Sequence, residues 1–375
     1  MVFSARKRSP VEIDWPLLRL WLVTFFLALL GLFFVFEAST VESYQMVGHP
    51  YHFIRQQAMW MLLSLVAGVS AFCVPISVWK RAAPFLYLGS LFLLFLVFIP
   101  GIGISLNGAH RWIDLRFTLL QPVELFKFSL IIFLASWLTK HQKFLPFLFW
   151  LGLPSGLILL QPDMGSLIVV TAIAVGLYFI AGARLKHLSW LVFLGALAGV
   201  LAIMLAPYRV RRLTTFFNPE ADPLGAGFHV RQMTLALGNG SWFGQGLGNS
   251  SQKYAYIPEA SSDSIFAIVA EEVGLVGSYS IMGVFMFFLS FGFLMMREVK
   301  AKTFEWLIGM GILLWWSIQI VLNLSAVVAL VPLTGIPLPL ISYGGSALSM
   351  FGLTMGVFSR IALERKKTTS DRHVR

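Results

Sequence analysis

The sequence predicts an all-α integral membrane protein of about ten transmembrane helices, with a large structured extracytoplasmic loop between the seventh and eighth. Three observations carry that prediction. First, 58% of the 375 residues are hydrophobic and only 12% are charged, whereas a soluble domain is about half apolar and about a quarter charged. Second, apolar runs long enough to cross a bilayer recur along the chain, each about 17–25 residues. Third, Lys and Arg alternate in abundance between successive inter-helix segments, which is the pattern that sets membrane orientation.

The elements follow in order. A basic stretch, "SARKRSP", precedes the first apolar run, which lacks a small-residue cleavage site and reads as a retained helix over 17–38. Further helices are expected at 57–77, 84–100, 120–139, 144–160, 165–182, 188–206, 263–294, 305–331 and 346–363. Counting the cations nearest the helix ends, fifteen Lys and Arg fall on the side of the termini and eight on the other. Both termini are therefore expected in the cytoplasm, as tails 1–16 and 364–375 of one domain spanning 1–375. Much of the formal charge of +11 is then orientation signal, and a nucleic-acid partner loses its support. Cys73 is the single cysteine, so no intramolecular disulfide holds the fold.

Five of the eight outward cations lie in the one long connection, residues 207–262. It has many Gly and Pro turn signals, but also Trp, Phe, Tyr and an amphipathic stretch at 228–237. Disorder requires few aromatics, so this loop is expected to be structured and partly re-entrant. The segment "LVPLTGIPLPLISYGGSA", 330–347, has three Pro, three Gly and no charge. Irregular backbone at membrane depth persists only where protein or a water cavity shelters it, so it reads as a re-entrant lining segment, with Asn323 and Ser342 as polar contacts.

The residues that can carry chemistry concentrate on the outward side. Asp263 follows Ser261 and Ser262 and opens an apolar run; taken alone this reads first as a helix N-cap, and otherwise as a general base for a sugar or lipid hydroxyl. Glu271 and Glu272 lie about two turns deeper. Charge there is costly, so a structural ion pair or hydrogen-bonded carboxyl competes with a proton path. Arg209, Arg211 and Arg212 form an outward cluster suited to phosphate oxygens, which Arg231 and Lys253 could join beside Glu259. Glu124 and Lys127, spaced i, i+3, are expected to neutralise each other. Arg111 and Trp112 are candidates for interface anchoring or substrate contact, and Asp163 marks a helix junction after Gln161. P-loop, dinucleotide, metal-cluster and nucleophile-elbow motifs are all absent, so any driving energy must reside in the substrate.

The motifs "RWIDL…QPVELFK", "LQPDMGS", "NPEADPLGAGFHVRQ", "PEASSDSIFAIVAEEVGLVG" and "PLTGIPLPLISYGGSA" resemble, in order and spacing, the SEDS family (shape, elongation, division and sporulation), over residues 17–363. The loop motifs look more like its division members than its elongation or sporulation members. The resemblance implies ten helices and a peptidoglycan glycosyltransferase. Such an enzyme polymerises lipid II into β-1,4 glycan strands at the outer face of the cytoplasmic membrane, at the septum. Its implied partners are a class B penicillin-binding transpeptidase and other division membrane proteins.

The family's essential acid falls on Asp263, which would take the proton from the acceptor sugar. Arg111–Trp112, Gln121–Lys127 and Gln161–Asp163 match further motifs, and outer-loop cations, with a divalent cation (Mg or Mn) as a candidate and no organic cofactor, would meet the pyrophosphate. The usual Pro-Glu-x-His-Thr-Asp-Phe context is altered: Ser261 replaces His, Ser262 replaces Thr and Ser264 replaces Phe. A lipid II flippase and a non-enzymatic division scaffold are the competing readings.

Overall fold

The computed structural model describes residues 14–106, 109–116, 118–221, 225–252 and 261–373. The helices are α1 (Trp15–Val47), α2 (His52–Cys73), α3 (Ile76–Leu96), α4 (Pro122–Leu138), α5 (Phe144–Leu160), α6 (Met164–Ile180) and α7 (Leu185–Met204). After them come α8 (Pro207–Phe217), α9 (Ala226–Gly240), α10 (Ile265–Arg297), α11 (Phe304–Val327) and α12 (Gly345–His373). Seven of these are long and apolar enough to cross a membrane, while α5 and α6 are shorter apolar helices. At 17 residues each, α4, α5 and α6 reach about 26 Å at 1.5 Å per residue, the lower end of a bilayer span. The protein is a multi-pass membrane protein, and each of the ten expected spans has its helix.

Local signals set the helix ends. The Asp14 carboxylate accepts from the Leu17 amide at 3.2 Å and opens α1, which ends at Gly48 in the left-handed conformation, φ 75°. Pro122 stands in the first turn of α4, where a missing amide proton costs nothing. Asp163 caps α6 by accepting from the Ser166 amide at 3.0 Å.

Helix α4 is the central post, buried along nearly its whole length, and it packs against α3, α6 and α11. Helix α7 instead buries little beyond Leu191 and Ala202, as a lipid-facing helix does. Glu124 and Lys127 pair at 2.7 Å within α4, each fully buried, with the Lys127 ammonium 5.1 Å from the Trp315 ring centre. That is the mutual neutralisation expected from their spacing. Helices α2 and α12 meet at Gly68, Gly352 and Gly356, where a Cβ would collide with the facing backbone. With no hydrophobic drive between helices in lipid, such close backbone approach is a main source of cohesion.

The polar connections gather at one end of the bundle, between α1 and α2, α3 and α4, α5 and α6, α7 and α10, and α11 and α12. Residues 103–120 add to the helical bundle a small antiparallel sheet, in the order β1 (Gly103–Leu106), β2 (Ala109–Asp114) and β3 (Leu119–Leu120). The long connection folds into α8, α9 and a returning loop, 241–252. The amphipathic stretch expected at 228–237 lies within α9.

That loop does re-enter. Helix α10 is broken at Gly274 (φ 68°, ψ −170°). The freed backbone groups pair with the loop: Gln245 N donates to Glu271 O at 2.9 Å and Gly246 N to Glu272 O at 3.1 Å. In return Leu275 N donates to Ser241 O at 2.9 Å and Val276 N to Trp242 O at 3.1 Å. Exchange of this kind is what a broken helix requires where water is scarce. The Glu271 carboxylate fastens the same loop. It accepts from Asn239 Nδ2 at 3.1 Å, Ser251 Oγ at 2.9 Å, Gln252 N at 3.4 Å and the Ser250 hydroxyl. Among the described residues, Glu271 is held by a cage of neutral donors rather than by an ion pair.

Residues 328–344 run without helix into the bundle, as their composition predicts. Ile336, Leu338, Leu340 and Ile341 are buried, and the Leu340 and Thr334 carbonyls pack so closely on α1 and α6 that only Gly31 and Gly165 fit beneath them.

Candidate functional site

A cavity of about 630 Å³ opens at this polar end. Its walls come from five places far apart in sequence: the start of α2 (Gln56, Trp60), the β2–α4 region (Arg111, Trp112, Gln121), α8 (Arg212), α9 (His229) with Ser262 and Asp263, and the re-entrant segment (Thr334, Tyr343). Its volume lies within the range of small-ligand sites, roughly 300–1,000 Å³.

Asp263 sits just before α10. The N-cap position is Ser264, with no side-chain capping bond, so the capping reading of Asp263 gives way. Its carboxylate Oδ1 accepts from the Ser264 hydroxyl at 3.2 Å. Its backbone carbonyl accepts from Asn323 Nδ2 at 2.8 Å, and the same amide donates to Ile336 O at 2.8 Å. One side chain of α11 thereby fixes both the acid and the re-entrant segment. A second tie joins them where Tyr343 N donates to Ser261 O at 2.8 Å.

Among the described lining residues, two cations share the cavity with this carboxylate. Arg111, on β2, donates to Pro162 O at 2.5 Å and stands 3.8 Å from Asp163. Arg212, on α8, is exposed and donates to Leu333 O at 3.3 Å. Tyr343 donates its hydroxyl to Gln56 Oε1, and burial, with Glu42 nearby, pushes that phenol up to about 12. It is a neutral donor at any working pH. His229 hydrogen-bonds through Nε2 to Ser264 Oγ at 2.7 Å. Burial, reinforced by the charge of Arg212, lowers it to about 4, so its imidazole is neutral near pH 7.

Several residues singled out in the sequence stand elsewhere. Arg209 is a structural tie: it donates to Ala202 O at 2.8 Å and Leu159 O at 2.9 Å, joining the ends of α7 and α5. Gln161 is buried and donates to Leu94 O at 2.7 Å. Asp163 is buried, spent on capping α6 and facing Arg111. Ser342 accepts from Leu338 N at 2.8 Å and closes a turn of the re-entrant segment. Arg211 and Arg231 are exposed and do not line the cavity. Lys253 and Glu259 lie outside the described residues. Thr334 and Tyr343 fall in the segment 330–347 that the sequence marks as cavity lining, and they do line it. Gln56, Trp60 and His229 are not singled out by the sequence; of these only His229 carries a signal, its place inside the quoted "NPEADPLGAGFHVRQ" motif.

Among the described residues no three His, Cys, Asp or Glu side chains cluster. Asp263 is the one carboxylate among the cavity's described lining residues, and it stands with two guanidinium groups. Among the described residues these donors do not make a site for a resident divalent cation. What they can do is accept one proton and hold a dense negative charge beside it.

The chain is 40% identical to the probable peptidoglycan glycosyltransferase FtsW of Coxiella burnetii, over 92% of this chain and 96% of that protein. Its fold matches a chain of a peptidoglycan synthase complex that coordinates polymerization and crosslinking, at TM-score 0.76 and 26% identity, covering 95% of this chain and 99% of that one. It also matches the rod shape determining protein RodA of Thermus thermophilus, at TM-score 0.68 and 25% identity, covering 95% and 98%. A family model described as cell cycle protein, for FtsW, RodA and SpoVE, matches residues 18–367. With the match running from the first membrane helix to the last, the chain belongs to the FtsW/RodA/SpoVE family of cell cycle proteins.

Proposed function

We propose that this protein is a peptidoglycan glycosyltransferase that polymerises lipid II into β-1,4 glycan strands at the outer face of the cytoplasmic membrane during septal wall synthesis. The observation that carries the reading is the sharing of one cavity by Asp263, Arg111 and Arg212. A base and two phosphate-matching cations are what a single displacement from a pyrophosphate donor demands. The names of its relatives support the same chemistry.

Asp263 accepts the proton of the acceptor sugar's 4-hydroxyl as that oxygen bonds to the donor's anomeric carbon. The bond from that carbon to the polyprenyl pyrophosphate breaks, and the electron pair leaves with the phosphate. Glycosidases need a second carboxyl to protonate their leaving group; a pyrophosphate departs as a stable anion, so one base suffices. Arg111 and Arg212 stabilise the charge that develops there, with bidentate geometry available to each. A divalent cation brought in by the pyrophosphate itself would add to that charge balance. Both termini then face the cytoplasm, and a class B penicillin-binding transpeptidase and other division membrane proteins are the partners, a reading supported by the synthase complex whose chain shares this fold.

The test is polymerisation of labelled lipid II by the purified protein with its transpeptidase. Asp263→Asn keeps shape and removes the base; loss of a general base costs about 10²–10⁴-fold. Undiminished polymer from Asp263→Asn defeats the base assignment. Scrambling of lipid II across vesicles without polymer would make the protein a flippase, and partner binding alone a scaffold.

A further inference from the structure

The Asp263 carboxylate is reached by a hydrogen-bonded line that comes from a different element. Ser264 Oγ lies 3.2 Å from Asp263 Oδ1 and 2.7 Å from His229 Nε2. Ser264 is fully buried, at 0% exposure. A serine hydroxyl has one proton and two lone pairs. An ionised carboxylate only accepts, so the Ser264 proton points to Asp263, and the imidazole must donate to Ser264. That puts a proton on His229 Nε2. Its burial, reinforced by the charge of Arg212, disfavours the imidazolium, so the ring is the neutral Nε2–H tautomer.

We propose that His229 and Ser264 are positioning residues, a two-membered wire from α9 to the head of α10 that holds the Asp263 carboxylate in the orientation needed to take the acceptor's proton. The inference rests on the reading of Asp263 as the base. His229 also lines the cavity beside Asp263. The hydroxyl is supplied by the residue following the acid, and the imidazole by a loop helix about 35 positions earlier. Neither touches the reacting atoms. Their effect is on the orientation of the group that does, and small misplacements of such a group cost up to about 10²-fold in rate.

The test is steady-state polymerisation of labelled lipid II by the full chain in complex with its transpeptidase, alongside thermal unfolding of each variant. Ser264→Ala and His229→Ala are each expected to lower kcat by about 10–10²-fold with KM within about twofold. Ser264→Thr, which keeps a hydroxyl, and His229→Gln, which keeps an amide donor, should recover most of the rate. The double variant should be no slower than the slower single, because both remove one wire. Rates within about twofold of wild type for folded Ser264→Ala and His229→Ala overturn the wire, as do losses that multiply in the double variant or fall on KM alone. Asp263→Asn in the same assay separates the two claims. Polymer from it defeats the base reading itself, whereas a silent Asp263→Asn beside fully active Ser264→Ala defeats only the wire.

Discussion

Asn323 of α11 donates from one amide to two backbone carbonyls, those of Asp263 and Ile336, each at 2.8 Å. The acid at the head of α10 and the re-entrant segment before α12 are therefore held by a single buried side chain. Removing it leaves two carbonyls without that donor, at about 1–3 kcal/mol for a buried group. Asn323→Ala should lower thermal stability by that order and slow polymerisation, while Asn323→Asp, which turns a donor into an acceptor facing two carbonyls, should do worse. Unfolding curves and lipid II turnover measured together check this; an unchanged Asn323→Asp would remove the tether from the account.

Arg212 and Arg209 are three residues apart and predict opposite phenotypes. Arg212 lines the cavity, whereas Arg209 is committed to the carbonyls of Ala202 and Leu159. Arg212→Ala should lower kcat/KM by about 10²-fold, the scale for losing one charge-stabilising donor, with little change in melting. Arg209→Ala should lower the melting temperature and leave the kcat/KM of the folded fraction near wild type. Swapped outcomes would place the phosphate site elsewhere.

The Glu124–Lys127 pair is fully buried. Removing one partner strands a charge, typically at about 3–5 kcal/mol, whereas removing both can be close to neutral. Lys127→Met alone should therefore destabilise more than Lys127→Met with Glu124→Gln. Unfolding in detergent micelles measures the difference, and equal losses would mean the two charges are not coupled.

His229 carries a pH signature. Its imidazole is lowered to about 4 in the fold, against about 6.5 in an unfolded chain. Between those values the unfolded state binds the extra proton, so stability rises with pH across that window. The contribution is fully present above pH 6.5 and is lost as pH falls towards 4. Melting temperatures from pH 7 to pH 4 should fall more steeply for wild type than for His229→Gln; parallel curves would show that this imidazole does not titrate as described.

Gly244 and Gly274 face each other where the returning loop meets the broken helix, both with positive φ (82° and 68°). A Cβ at Gly244 would strike the Glu272 carbonyl, and one at Gly274 the Gly244 amide nitrogen. Gly274→Ala combines backbone strain with a clash and should reduce the yield of folded protein severely. The same substitution at Gly89, which has open space around it, should be tolerated, and proteolysis of the loop reports the contrast.

The sequence by itself determined the membrane class, the ten spans and the placement of polar chemistry at one end, and it singled out Asp263 as the candidate acid. Each is written locally: apolar runs meet a bilayer's fixed thickness, and a motif keeps its residues adjacent in the chain. The buried pairing of Glu124 with Lys127 was equally legible, because i, i+3 spacing on one helix makes neighbours. What only the tertiary structure decided was who surrounds Asp263. The sequence registers the loss of an imidazole at position 261 but cannot see His229 arriving through Ser264, nor Arg212 entering the cavity while Arg209 turns to backbone carbonyls. It also could not place the small sheet at 103–120 or show the neutral donors that hold Glu271. Those outcomes depend on contacts between segments tens to hundreds of residues apart. Such contacts form only when helices packed through glycine faces bring the loops together, and no periodicity in the chain encodes that distance.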